Sequence, residues 1–358
     1  MSITLSDAIA QAEAITQIEV VPKAPGVSVA VGINGELVWS KQFGFADLET
    51  KTPVTATTRF RIGSVSKPLT AAGLALLVER GKLDLDAPIQ KYIPDFPKKN
   101  GVITTRLLAG HLSGIRNYRG YEAGSNKPFP NLRSGLKIFE EDPLEAPPGT
   151  KFSYASYNWN TIGVIMEAAA RQDFLSYMEE NVIKPLGLTN TRADFAGVAD
   201  PQRTKFYEVL HENEFRPSPA VDLSYCWPAG GYLSTAEDMV RFGATHVRPG
   251  FLKAESLKLL FTSQITNTGT ETDYGVGWFI GPGFVQHGGD SAGGVAILLL
   301  VPPARLVVAL ATNGGHGFLF NAIRNGRIPK EAEKFLFPKQ IVALKIAKPF
   351  ALMLKKSG

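Results

Sequence analysis

Between Pro68 and Val78 the chain carries no charged side chain and one hydroxyl, Thr70, and charge returns only at Glu79-Arg80. A helix with one apolar stripe suits a surface, whereas a segment apolar on every side predicts a helix buried all round. Its limits are also legible. Pro68 has no N–H and clashes with a preceding turn, so it is tolerated only where a helix has just begun, which sets the start between Gly63 and Ser66. Gly81 is a good residue to close the helix.

Elsewhere the period is two. Residues 25–47, PGVSVAVGINGELVWSKQFGFAD, alternate around Asn34-Gly35, the pair that favours the tight turn of a hairpin. Residues 293–315, GGVAILLLVPPARLVVALATNGG, give two more β-rich runs joined at Pro302-Pro303, and the first residues, MSITLSDAIAQAEAITQIE, read as an amphipathic helix. Strands at both ends with mostly helical and loop-like sequence between them predict an α+β fold. One antiparallel sheet formed by both chain ends, about 1–67 and 271–320, is flanked by helices and joined to a mostly helical subdomain over about 68–270. Strand and helix do not alternate regularly, which argues against a doubly wound sheet.

Composition adds bounds. A chain of 358 residues, 44% hydrophobic and 20% charged, is long enough for a large core and ordinary for a folded protein. The net charge of +5 is unevenly placed. The segment 321–358 holds nine Lys/Arg against Glu331 and Glu333, so the remainder is slightly acidic and a nucleic-acid-binding reading of the whole chain loses its basis. The mixture of lysines and apolar residues in that basic C-terminal segment allows weak contact with an anionic membrane surface. Packing on the body is the alternative, with Pro349 expected to interrupt any long helix there. The single cysteine, Cys226, rules out an internal disulfide. The N-terminus lacks the basic start and apolar run of a signal peptide, and no stretch approaches a membrane span, so the expected address is cytoplasmic. The five histidines have no metal-ligand spacing and no dinucleotide or phosphate fingerprint is present, so no metal or cofactor is expected.

The candidate chemistry lies at the mouth of the buried helix, where Ser64 stands three residues before Lys67. A serine hydroxyl becomes a useful nucleophile only with a base in reach and a site for the oxyanion. A lysine one turn away is well placed as that base if burial or a second cation makes it neutral. Ser-x-x-Lys alone is a weak signal, and Ser134 with Lys137 provides a second match. That second pair follows a Pro/Gly/Asn-rich loop and leads into a charged stretch, whereas Ser64 opens a buried helix. Two further stretches separate them: Tyr154-Ala155-Ser156 after a Pro-Gly turn and before another apolar run, and His287-Gly288-Gly289 immediately before a strand.

With these three ordered motifs the chain resembles the serine β-lactamase and penicillin-binding-protein-like hydrolases, and more narrowly their class C β-lactamase and family VIII esterase branch. The resemblance extends through GKLDLDAPIQKYIPDFP, TTRLLAGHLSGIRNY and WPAGGYLSTAEDMVRFG. It implies that Ser64 is the acylated nucleophile, that Lys67 is its base partner and that Tyr154 manages the proton passed to the leaving group. Ser156 stands where the family often has asparagine holding the substrate amide. His287, Gly288 and Gly289 stand for the strand motif usually written Lys-Thr-Gly; Gly288 lacks the hydroxyl that binds a substrate carboxylate. The resemblance also implies that the Asp290 N–H joins that of Ser64 in an oxyanion hole, and an inward Asp290 carboxylate would disfavour carboxylated substrates. Cys226 and Trp227 lie in a loop that borders the active site in the family, so lining the pocket and packing in the core both remain open; His111 is read as structural. The expected function is a serine hydrolase acting through an acyl-enzyme on small esters or amides, with weak β-lactam acylation. The alternatives are a D-amino-acid or small-peptide peptidase and a non-catalytic penicillin-binding scaffold.

Overall fold

The computed structural model describes residues 3–211, 213–248, 250–315 and 339–355. Its main sheet has seven antiparallel strands in the spatial order Thr52–Pro53, Glu36–Asp47, Gly26–Ile33, Leu306–Thr312, Gly294–Val301, Phe284–Ser291 and Phe279–Gly281. Both chain ends therefore build it, and the first and last long strands pair directly, with Val29 opposite Leu310. The turn at Asn34-Gly35 has positive φ at both residues, 52° and 89°, the geometry that a two-residue hairpin loop demands.

The period of two in GVSVAVGI turns out to separate large from small side chains. Every residue of Gly26–Ile33 is buried. Val27, Val29, Val31 and Ile33 pack with Ala8, Ala12, Val342, Ile346 and Phe350, so the helices Leu5–Glu19 and Lys339–Leu354 cover that face. The opposite face is made of Gly26, Ser28, Ala30 and Gly32, and small residues there let the helix Ala236–Val247 approach closely. A Cβ on Gly32 would lie 2.6 Å from Val240 Cγ1.

The middle of the chain is not only helical. It also forms two small sheets, Phe60–Arg61 with Tyr232–Ser234 and Arg192–Ala193, and Tyr207–His211 with Glu214–Pro217 and Gly314–Gly315. The C-terminal helix departs from expectation at Pro349 and follows the packing alternative elsewhere. It runs through Pro349 without interruption, and its apolar residues Val342, Ala343, Ile346, Ala347 and Phe350 are buried in the body. Lys345 is paired with Glu19 at 2.8 Å. The apolar face that would have rested on a membrane is therefore spent on the sheet. The basic positions 324, 327, 330, 334 and 356 lie outside the described residues. Among the described residues no helix is long and apolar enough to cross a membrane.

Candidate active site

The buried helix spans Ser66–Glu79 and is entered through a single 3-10 turn, Gly63–Val65. Ser64 thus sits in the turn itself and Lys67 projects from the first turn of the helix behind it. The Lys67 amine is fully enclosed, with Nζ 2.8 Å from Ser64 Oγ, 2.8 Å from the Ala229 carbonyl oxygen and 3.3 Å from Ser156 Oγ. No carboxylate is among these partners. Burial penalises the ammonium and draws the pKa of Lys67 from 10.5 down to about 7. A neutral amine has two N–H donors and one lone pair. It can donate to Ala229 and Ser156 while accepting the Ser64 proton, which is the arrangement these three contacts allow.

The loop that supplies Ala229 is fixed by the same helix. Thr70 Oγ1, on the Lys67 face one turn further on, donates to the carbonyl of Pro228 at 2.8 Å. Ser66 Oγ donates to Gly63 O at 2.7 Å and ties the 3-10 turn to the helix. Tyr154 stands immediately before the helix Ser156–Ala170, with its ring centroid 5.0 Å from Lys67 Nζ. The ring packs against His111 at 4.3 Å and stacks on Phe279 at 6.0 Å. His111 Nδ1 accepts the Ala155 N–H at 3.2 Å, and burial beside Lys67 holds its pKa well below the usual value, so it is a neutral packing partner of Tyr154.

The strand Phe284–Ser291 completes the site. Its outer neighbour Phe279–Gly281 pairs only as far as Gln286, so the edge from His287 onward faces the Ile62–Ser64 turn. The approach is close enough to require glycine on both sides. A Cβ on Gly289 would lie 1.8 Å from Ile62 O and 2.9 Å from Ser64 N, and one on Gly63, where φ is +49°, would lie 2.6 Å from Asp290 N. The backbone amides of Ser64 and Asp290 are thereby brought side by side. His287 is buried and neutral, its pKa pushed well down by desolvation and by Lys67. Because Gly288 O only accepts, Nδ1–H donates to it at 2.7 Å, and Nε2 is left to accept from Tyr274 Oη at 3.2 Å.

Ser64, Tyr154, Ser156, His287, Gly288 and Asp290 all line one cavity of about 730 Å3. Much of the remaining wall is apolar, from Val221, Leu223, Tyr225 and Ile297. Cys226 also lines it, but burial pushes its thiol up to about 12, so it is no nucleophile. Trp227 packs against the core and is not in the cavity wall, which decides between the two courses left open for it above. Its indole turns away from the cavity, with its centroid 5.3 Å from Phe195 and Nε1–H donating to Asp194 O at 3.5 Å. The competing Ser134 is tied up locally, its Oγ donating to the carbonyl of the capping Asn131 at 2.7 Å, while Lys137 is exposed. A further serine in this wall, Ser291, lies in Gly289-Asp290-Ser291-Ala292-Gly293, the spacing of an α/β-hydrolase nucleophile elbow, so a reading of the sequence as free of that spacing is incorrect. An elbow requires a strand-to-helix turn at the serine. Ser291 instead ends one strand of a hairpin and pairs with Gly294, so the match is coincidental.

A family model described as Beta-lactamase matches residues 13–332. The chain belongs to the β-lactamase family. It is 28% identical over 379 residues to the human serine beta-lactamase-like protein LACTB, mitochondrial, covering 78% of this chain and 69% of that protein. Among solved structures it is similar to EstCE1, a hydrolase with promiscuous acyltransferase activity, with a TM-score of 0.76 at 20% identity, covering 96% of this chain and 100% of that one. It is also similar to a D-stereospecific amidohydrolase from Streptomyces, with a TM-score of 0.70 at 19% identity over 89% and 98% of the two chains. At these identities the structural likeness carries the fold, α+β with the sheet built from both ends of the chain. This β-lactamase-family chain is a serine hydrolase by kind.

Three groups around its site were not singled out from sequence. Asn117 Oδ1 accepts the N–H of Ser156 at 3.0 Å and sets the start of that helix. Tyr274 engages His287, as described above. Lys339 reaches the strand edge from the C-terminal helix, pairing with Asp290. Asn117 lies in the quoted phrase TTRLLAGHLSGIRNY and was within reach of the resemblance, whereas Lys339 is one lysine in a basic tail and has no local signal.

Proposed function

We propose that this protein hydrolyses small carboxylic esters or amides through an acyl-enzyme on Ser64. The observation that carries the reading is Lys67, a buried amine with no carboxylate partner among the described residues, 2.8 Å from Ser64 Oγ and with a pKa near 7. An amine held in that state can take a proton from a hydroxyl at neutral pH. Ser64 Oγ adds to the substrate carbonyl as its proton passes to Lys67. The N–H groups of Ser64 and Asp290 receive the oxyanion, and the collapse of the tetrahedral adduct expels an alkoxide or amine that is protonated from Lys67 by way of Tyr154. Water then adds to the acyl-enzyme by the reverse proton route and releases the acid and Ser64. In this scheme Ser156 orients the Lys67 lone pair, and His287 with Tyr274 fixes the backbone of the strand edge.

Intact-mass spectrometry after mixing the protein with p-nitrophenyl butyrate, a penicillin and a D-Ala-D-Ala peptide tests the scheme. An adduct of acyl mass with the ester, lost in Ser64→Ala together with turnover, is the expected result. An adduct and turnover with the D-Ala-D-Ala peptide alone would favour a peptidase. Unchanged ester turnover in Ser64→Ala, or neither adduct nor turnover with any of the three, would sink the mechanism.

A further inference from the structure

The charged side chains that face the cavity are matched with partners. Glu208, a buried carboxylate in the wall, accepts from Arg216 Nε at 2.7 Å. Asp290 is bound by Lys339, which rises from the start of the C-terminal helix and also approaches the Gly289 carbonyl at 3.5 Å. Lys339 occupies the room that Gly288 leaves: a Cβ there would lie 2.5 Å from Lys339 Cε. With Lys67 drawn towards neutrality, Lys339 is the cation among the described residues of the cavity wall, and its charge is already taken.

We propose that the Lys339–Asp290 pair makes this site selective for uncharged esters and amides and turns away substrates that carry a carboxylate beside the scissile bond. The inference rests on the acyl-transfer reading of Ser64 given above. A carboxylate entering beside the strand edge has two courses. It can remain unpaired near Asp290, where like charges a few ångströms apart in a partly enclosed site repel. Otherwise it must take Lys339 from Asp290, exchanging one ion pair for another and leaving the aspartate unpaired. Neither course yields net attraction, whereas a neutral ester disturbs nothing. Gly288 contributes to the same outcome because it offers no hydroxyl to hold a carboxylate.

The test uses two matched substrate pairs, presenting the carboxylate once on each side of the ester: p-nitrophenyl hexanoate against mono-p-nitrophenyl adipate, and phenyl butyrate against 3-carboxyphenyl butyrate. The readout is the ratio of kcat/KM for the carboxylated and neutral members, which discounts any general loss of activity in a variant. The wild type is expected to favour the neutral member by roughly tenfold or more in at least one pair, on the scale of a charge mismatch at a partly exposed site. Asp290→Asn frees Lys339 and should raise the ratio in that pair, chiefly through KM. Lys339→Met leaves Asp290 unpaired and should lower it further. Ser64-dependent turnover with ratios that stay put in both variants would overturn the charge inference alone. Turnover of the neutral esters that persists in Ser64→Ala would overturn the acyl-transfer reading and this inference with it.

Discussion

An ammonium group enclosed by protein with no carboxylate beside it lowers stability, and among the described residues Lys67 is such a group. Its shift from 10.5 to about 7 corresponds to a differential of on the order of 5 kcal/mol between folded and unfolded chains. The sign follows from linkage. Between about pH 7 and 10.5 the unfolded chain binds the extra proton, so stability rises with pH across that window. Below it the cost is present in full, and above it the cost vanishes. Lys67→Met removes the cost and also the hydrogen bonds to Ser64, Ser156 and Ala229. The variant should therefore be more stable than the wild type at pH 6 and should lose that advantage by pH 10, as read from urea midpoints. An equal difference at both pH values would mean that Lys67 is not titrating in this way. In the wild type kcat/KM for a neutral ester should climb through about pH 7 as the amine loses its proton, and the variant should lose roughly 10²–10⁴ of that activity with the limb abolished.

At the scale of elements, the proposed mechanism depends on how closely one turn lies against one strand. Gly289→Ala places a methyl group against the Ile62 carbonyl and the Ser64 amide, both backbone atoms that cannot swing aside. The turn must lift from the strand, and a cost of about 1–3 kcal/mol in stability follows from overpacking of this kind. The larger effect should fall on kcat, by roughly a hundredfold or more, because the two amides proposed to hold the oxyanion move apart. Gly288→Ala is the control. Its methyl meets only the end of the Lys339 side chain, which can move, so stability should hold and kcat should change little. Equal losses of kcat in the two variants would show that the two amides are not set by this contact.

The same elements show what the sequence could and could not disclose. The buried helix and its start were readable because Pro68 and an unbroken apolar run are local facts, and the structure starts the helix at Ser66 after a 3-10 turn. The Asn34-Gly35 hairpin was readable for the same reason. In Gly26–Ile33 the strand was legible but its surroundings were not. A small/large alternation means two covered faces, one under helices from opposite ends of the chain and the other under Ala236–Val247 from its middle. The site was legible through three motifs that a family resemblance ties together. Its geometry adds the reason for each: Gly289 because backbone lies against it, Ser156 because it touches Lys67. Trp227 stayed undecided because a position in a loop beside a site does not say which way an indole turns. The Lys339 contact with Asp290 joins residues 49 positions apart through helix-on-sheet packing, and no local pattern announces it.

Over the whole molecule, the sheet lies between two apolar layers, and the C-terminal helix belongs to both stability and specificity. Its inner face places Phe350, Val342 and Ile346 at 0% exposure against the sheet and the N-terminal helix. Its first residue, Lys339, instead touches the active-site edge. These two contributions should separate. Phe350→Ala empties a closed site and should lower unfolding free energy by about 3–5 kcal/mol, the usual range for a buried phenylalanine. Lys339→Met removes a partly exposed ion pair, worth about 0–1 kcal/mol, and should barely move the denaturation midpoint. Below its unfolding transition Phe350→Ala should keep the wild-type preference between neutral and carboxylated esters, because the helix start and the strand edge are unchanged. Lys339→Met should show the reverse, a wild-type midpoint with an altered preference. The helix would then be a structural cover whose first turn has been recruited to the site. If Phe350→Ala shifted the substrate preference as far as Lys339→Met does while still folded, the helix would have to be moving as a rigid body on the sheet, and Lys339 would be reporting its position rather than acting through its own charge.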